Sequence, residues 1–238
     1  MRINIHAGHN PDGMTACGAE GLIKESTEAR KVKGKLIEIL KSAGHTVYDC
    51  TCNNGTSQND VLKKIIAKCN EHDVDLDISI HFNAGAGDEK GNGKTTGVEA
   101  YVYDKKTAAY GYADKICKAI SAMGYKNRGV KINQSLYVLN STKAPALLIE
   151  CCFVDDKDDI SLYGAEKIAE AIAEGLGVKA IKEDEEMVEP SKIIVDGKEI
   201  AVKRILKDGT NYIAVRDLAE AVGYRVGNKG NIAVLEKK

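Results

Sequence analysis

Three short apolar runs each end on a side chain able to bind a metal or move a proton, which narrows what this chain can become. Arg2-Ile3-Asn4-Ile5-His6-Ala7-Gly8-His9 breaks at a glycine and ends on an imidazole. Asp77-Ile78-Ser79-Ile80-His81-Phe82-Asn83 carries His81 near its end, and Pro145-Ala146-Leu147-Leu148-Ile149-Glu150 ends on a carboxylate. Glu25 follows a glycine-rich loop and opens a helix. Short apolar runs bounded by breakers read as buried strands. Open α/β sheets assemble their sites at the carboxyl ends of adjacent strands. Two imidazoles and a carboxylate suit a zinc ion that keeps one position for water, and a second carboxylate can then act as base.

The segments between these runs support the same plan. A loop with Gly13, Gly18 and Gly21 leads to a helix over 24–43, with Val32, Leu36, Ile39 and Leu40 on its inner face and Gly44 as its stop. A strand is expected over 45–48. The next helix has Ser57 or Asn59 as its cap and Val61, Leu62, Ile65 and Ile66 inside. Strands are expected over 77–81 and 97–103, and helices over 107–123 and 164–176. Residues 85–96 read as a mobile, substrate-facing loop. The expected class is α/β, a mixed, mostly parallel sheet flanked by helices, followed by a small C-terminal α+β module. The expected boundaries are a catalytic domain at 1–178, a charged linker at 179–190 and the module at 191–238. Within the module, Asp196-Gly197 signals a tight hairpin, Asp208-Gly209 a second turn, and Val215–Val222 a short helix stopped by Gly223. A last hairpin is expected to turn near 227–230. So short a unit buries little core, so it is expected to dimerise or to pack against a partner.

The detailed motifs carry a family resemblance. Ala7-Gly8-His9-Asn10, Gly18-Ala19, Lys24-Glu25, Ser79-Ile80-His81-Phe82-Asn83-Ala84, Arg128-Gly129-Val130 and Pro145-Ala146-Leu147-Leu148-Ile149-Glu150 occur in that order. Over residues 1–177 the chain resembles the zinc-dependent N-acetylmuramoyl-L-alanine amidases of the type 3 family. The resemblance implies His9, Glu25 and His81 as zinc ligands, Glu150 as the catalytic carboxylate and peptidoglycan as the partner. Glu28, one turn on, is the alternative to Glu25; Lys24-Glu25 fits the family pattern better. Where the family usually reads Gly-His-Gly, this chain has Asn10 after His9. Asn83 and Arg128 are candidate substrate contacts. Asn83 shares a strand face with His81, and Arg128, read as a loop residue, can pair with a peptide carboxylate. The segment 191–238 resembles the N-terminal module of copper amine oxidases. It contains no His or Cys, so no copper chemistry follows, and its expected role is wall attachment.

Composition narrows the remaining choices. Lys and Arg total 34 against 35 Asp and Glu, a net charge of −1, so bulk attraction to nucleic acid or anionic membranes is not expected. No apolar stretch is long enough to span a bilayer. No export signal precedes the first strand, which points to synthesis in the cytoplasm and release at lysis, as for a phage lysis enzyme. A bacterial autolysin or wall-remodelling amidase is the alternative owner. A non-catalytic wall-binding relative or a zinc peptidase is the alternative activity. The seven cysteines are expected to be reduced, with Cys151 and Cys152 packed as small hydrophobes.

Overall fold

The computed structural model describes residues 1–178, 189–207, 210–229 and 232–237. Two compact units, Met1–Ala180 and Ile181–Lys238, divide the chain.

In the first unit the elements run β1 (Arg2–Ala7), α1 (Glu25–Ser42), β2 (Thr46–Asp49), α2 (Gln58–Asn70), β3 (Leu76–Asn83), β4 (Val98–Val102), α3 (Ala109–Ser121), β5 (Asn127–Ile132), α4 (Tyr137–Ser141), β6 (Ala146–Phe153), α5 (Lys157–Leu162) and α6 (Ala165–Gly175). The strands form one sheet in the order β2-β1-β3-β6-β4-β5. Every neighbouring pair is parallel except β4 and β6, so the sheet is mixed and mostly parallel. This is the expected class.

Burial explains the strand sequences. Ile3, Ile5, Ile78, Ile80, Leu147 and Ile149 join the helix residues Val32, Leu36, Ile116, Ile120 and Ile172 in one core. The opposite face packs against α2 and α4 through Val61, Ile65, Cys69, Val138, Leu139 and Leu148. That second face holds Asn4, His6, Asp77 and Ser79, all buried. They pair across β1 and β3: Asn4 Nδ2 donates to Asp77 Oδ1 at 2.6 Å, and His6 Nδ1 lies 3.4 Å from the Ser79 hydroxyl. The polar–apolar alternation of these strands is therefore two buried faces, one apolar and one of matched polar pairs.

Ser57 caps α2 by accepting the Asp60 N–H at 3.2 Å. The short elements β5, α4 and α5 were not expected. Arg128 lies in β5 rather than in a loop. The segment 85–96, expected to be a mobile, substrate-facing loop, is tied down by carboxylates. Asp155 accepts the N–H groups of Gly85 and Gly87, Asp158 those of Asn92, Gly93 and Lys94, Asp156 that of Thr96, and Asp159 that of Gly97. A run of four carboxylates on the far side of the sheet sequence thus supplies the acceptors the loop backbone needs. His72 stacks on Tyr48 at 3.8 Å between ring centroids.

The second unit has β7 (Glu189–Val195), β8 (Lys198–Lys207) and β9 (Thr210–Ile213) in one antiparallel sheet, then α7 (Val215–Ala221) and the hairpin β10 (Tyr224–Lys229) with β11 (Ile232–Lys237). Asp196 and Gly197 have φ of 49° and 79°, both left-handed, as the tight hairpin turn requires. The expected turn at Asp208-Gly209 lies outside the described residues. So does most of the expected linker, whose last residues, Glu189 and Pro190, already belong to β7. The expected last hairpin is present: β10 runs through Gly227 to Lys229 and pairs antiparallel with β11 from Ile232, and Gly230 lies outside the described residues.

Candidate active site

The site begins where β1 ends. Gly8 donates its N–H to Ile80 O at 3.2 Å and the chain turns out of the sheet at His9. The next residue, Asn10, is fully buried. Its amide nitrogen reaches Thr15 O and Gly55 O, both at 2.7 Å, and its oxygen accepts the Gly55 N–H at 2.9 Å. Asn10 thus clamps two loops together, a task a glycine at this position could not perform. Arg30 holds the same turn from behind, donating to His9 O at 2.7 Å, Cys52 O at 3.0 Å, Ser26 O at 3.0 Å and Asn10 O at 3.3 Å. Nothing local in the sequence marks Arg30; its partners come from three separate segments. Arg30→Met is expected to lower unfolding stability by about 2 kcal/mol, because it strands several partly buried carbonyls. Urea unfolding of the purified variant measures this, and a loss below about 0.5 kcal/mol would deny Arg30 that role.

Glu25, the first residue of α1, reaches both imidazoles. Its Oε1 lies 2.9 Å from His81 Nδ1 and 3.3 Å from His9 Nε2. Oε1 also accepts the Phe82 N–H at 3.2 Å, and Oε2 accepts the Ala19 N–H at 2.7 Å. One donor atom from each of His9, Glu25 and His81 lies within 4.8 Å of the other two. Glu28 points elsewhere, with its oxygens on Lys31 Nζ and the Tyr163 hydroxyl, both at 2.8 Å. The structure therefore brings Glu25, not Glu28, to the two histidines.

Electrostatics favour the donor forms of Glu25 and His81. Burial works to raise the Glu25 carboxyl, but hydrogen bonds and charge from His81 and His9 outweigh it and hold it well below the usual carboxylate range. Burial lowers His81, only partly opposed by Glu25, which favours the neutral imidazole. A carboxylate and neutral imidazoles are the forms that bind metal. Two glycines make room for them. A Cβ on Gly8 would fall onto the His81 ring, and one on Gly18 would sit 2.5 Å from Glu25 Oε2.

Glu150 completes the group. His81 and Glu150 are register partners across β3 and β6, and Glu150 and Glu99 across β6 and β4, so the three stand in one row on one face. Glu150 Oε2 is buried and has no hydrogen-bond partner among the described residues. Burial first, then the charges of Glu25 and Glu99, push its carboxyl up to about 8, with Lys131 opposing. Asn83 and Arg128 gather beside this row, not over it. Asn83 Nδ2 donates to Glu99 Oε1 at 3.0 Å and its Oδ1 accepts the Ala84 N–H at 2.9 Å. Arg128 Nε donates to Glu99 Oε2 at 2.5 Å. Glu99 is the residue sequence reasoning missed. Its signal is a lone carboxylate inside the apolar strand Val98-Glu99-Ala100-Tyr101-Val102, in phase with Glu150. Cys151 and Cys152 are fully buried free thiols and pack as small hydrophobes.

The residues present fit a zinc ion. Two imidazoles and one carboxylate converge, the glycines leave space around them, and an unpartnered carboxylate oxygen stands in the neighbouring row.

Fold and site together define an α/β domain with a candidate metal centre at the carboxyl ends of its strands. Residues 3–182 match the family model for N-acetylmuramoyl-L-alanine amidase, and the chain belongs to this family. An endolysin of Bacillus phage SPP1 is 33% identical over 181 residues, covering 72% of this chain and 61% of that protein. An uncharacterized protein of Clostridium perfringens is 34% identical over 222 residues, covering 92% of this chain and 61% of the relative. The chain thus spans 61% of the length of either curated relative. Among solved structures, the catalytic domain of the CD27L endolysin targeting Clostridia difficile superposes with a TM-score of 0.67 at 33% identity, covering 76% of this chain and 99% of that one. Among the described residues no helix is long and apolar enough to cross a membrane.

Proposed function

We propose that this protein hydrolyses the amide between the lactyl group of N-acetylmuramic acid and L-alanine in peptidoglycan, with zinc held by His9, Glu25 and His81. The observation that carries this reading is the unpartnered, buried Oε2 of Glu150 in the same row as His81, in a chain of this family. Bound zinc would supply a Lewis acid for the scissile carbonyl and for an attacking water. Glu150 takes the proton from that water on its free carboxylate oxygen as the new C–O bond forms. When the C–N bond breaks, Glu150 returns the proton to the alanine nitrogen, and the amine leaves neutral. Its raised affinity for protons suits a group that must both accept and return one near neutral pH. Without metal, Glu25 Oε1 lies 2.9 Å from His81 Nδ1 and 3.3 Å from His9 Nε2, which keeps the three donors gathered.

The likeness to two endolysins supports a role in phage-mediated lysis, with the enzyme made inside the cell and reaching the wall after release. The C-terminal unit serves as an attachment or homodimerisation module of the copper amine oxidase N-terminal type. Its exposed Ile194, Tyr212, Val215, Leu218, Val222 and Leu235 support that role.

Digestion of purified walls tests the activity. The expected products are new amino groups on alanine, with no new reducing ends, and one zinc per chain by elemental analysis. New reducing ends, or new amino groups on residues other than alanine, would overturn the reading.

A further inference from the structure

The row His81–Glu150–Glu99 ends in a cluster the proposed chemistry leaves unused. Glu99 Oε2 accepts Arg128 Nε and Lys131 Nζ, both at 2.5 Å. Its Oε1 accepts the Tyr101 hydroxyl at 2.6 Å and Asn83 Nδ2 at 3.0 Å. Burial alone would raise the Glu99 carboxyl, but these partners bring it to about 2, so it is ionised throughout the working range. The anion is hidden and the cations are not: side-chain exposure is 2% for Glu99, 29% for Arg128 and 39% for Lys131. Two cations share one carboxylate, so one positive charge is left over, on the solvent side.

The cations are also aimed. The β4–β5 pairing slips between Val98 and Ala100, setting Arg128 and Gly129 together against Glu99, and Gly129 has φ 77°. A bulge of this kind redirects a side chain, here Arg128 toward Glu99. The Arg128 guanidinium lies 5.1 Å from the Phe153 ring centroid and Lys131 Nζ 5.6 Å from that of Tyr101. Arg128 spends only Nε on Glu99, and its terminal nitrogens have no partner among the described residues. Those nitrogens form the fork that matches a carboxylate.

We propose that Glu99 is a positioning residue that holds Arg128 and Lys131 as a subsite for a carboxylate on the peptide half of the substrate. This rests on the muramoyl amide reading. The scissile amide consumes the lactyl carboxyl, so the carboxylates left on such a substrate belong to its peptide. Glu99 stands directly across from Glu150, so the subsite adjoins the proposed base.

Two substrates test it: an N-acetylmuramoyl-L-alanyl peptide with free carboxylates, and the same compound with every carboxylate converted to carboxamide. The wild-type protein is expected to favour the free acid about tenfold in kcat/KM, through KM, the scale of one charge-assisted contact. Lys131→Gln and Arg128→Gln each erase most of that preference. Glu99→Gln erases it as well, and Glu99→Asp restores part of it, because a shortened carboxylate still gathers the two cations. A merely structural Glu99 would instead lower kcat/KM for both substrates by one factor, in step with melting temperature. Equal use of both substrates by the wild type would overturn the subsite and leave the amidase reading standing. Release of alanine amine from neither substrate would sink both.

Discussion

Replacing Glu150 with glutamine is expected to cut turnover of peptidoglycan about 10³-fold while leaving one zinc per chain, because the lost function is proton transfer and not metal binding. Glu150 is not among the three donors that approach one another, so its carboxylate can go without unmaking them. Glutamine keeps the volume and the buried position but cannot accept a proton. A second measurement on the metal-free protein separates this from a packing effect. Burial, reinforced by Glu25 and Glu99, raises the folded Glu150 carboxyl from 4.5 to about 8. Below pH 4.5 both folded and unfolded chains hold the proton, and the group contributes nothing to pH dependence. Between 4.5 and 8 the unfolded chain gives up its proton while the folded chain keeps it, so stability falls as pH rises. Above 8 the full cost of a buried charge is in place. The melting temperature of metal-free Glu150→Gln, relative to metal-free wild type, is therefore expected to climb across that window and then level off. A variant that keeps more than a tenth of wild-type turnover would end Glu150's assignment as base. A melting difference that ignores pH would show that its carboxyl is not held protonated by its surroundings.

That His9, His81 and Glu150 gather at one end of the sheet was legible because each sits at the end of an apolar run, where burial writes a strong local signal and the polar residue breaks it. The central strands and the long helices were legible for the same reason. The site's outer half was not. The strand Asn127–Ile132 lies at the sheet edge, half-buried along most of its length, and its bulge at Gly129 breaks the alternation that marks a strand. Arg128 therefore read as a loop residue, and its true partner Glu99, in another strand, could not be inferred from spacing. The loop 85–96 misled for a related reason. Its glycines and charges describe its own flexibility, whereas its order comes from Asp155, Asp156, Asp158 and Asp159, more than sixty residues away in the chain for most of these bonds. Asn10 carried a different lesson. Its departure from the family's glycine is answered by a buried clamp to Thr15 and Gly55 that only the folded chain displays.

Gly8→Ala is expected to weaken zinc binding about 100-fold or more with the fold retained, because the added methyl group displaces a ligand without straining the backbone. Gly8 is not among the glycines with positive φ, so alanine can adopt its conformation. What alanine cannot do is share space with His81: its Cβ would fall on the Nε2 and Cε1 atoms of that ring. His81 stands at the carboxyl end of a central strand, paired on both sides, so its backbone is poorly placed to retreat. The ring must swing, and with it goes the 2.9 Å approach of Nδ1 to Glu25. Glu25 then keeps His9 as its one imidazole partner, beside the N–H groups of Ala19 and Phe82. Gly34→Ala, in the interior of α1 with open space at its Cβ, is the matched control. That change is expected to raise helix stability slightly and leave zinc affinity as it was. Competition against a chelator of known affinity reads the metal constant for both variants, and circular dichroism reads the fold. Wild-type zinc affinity in Gly8→Ala would mean that zinc binding does not need the His81 ring in that space, and would overturn this role for Gly8.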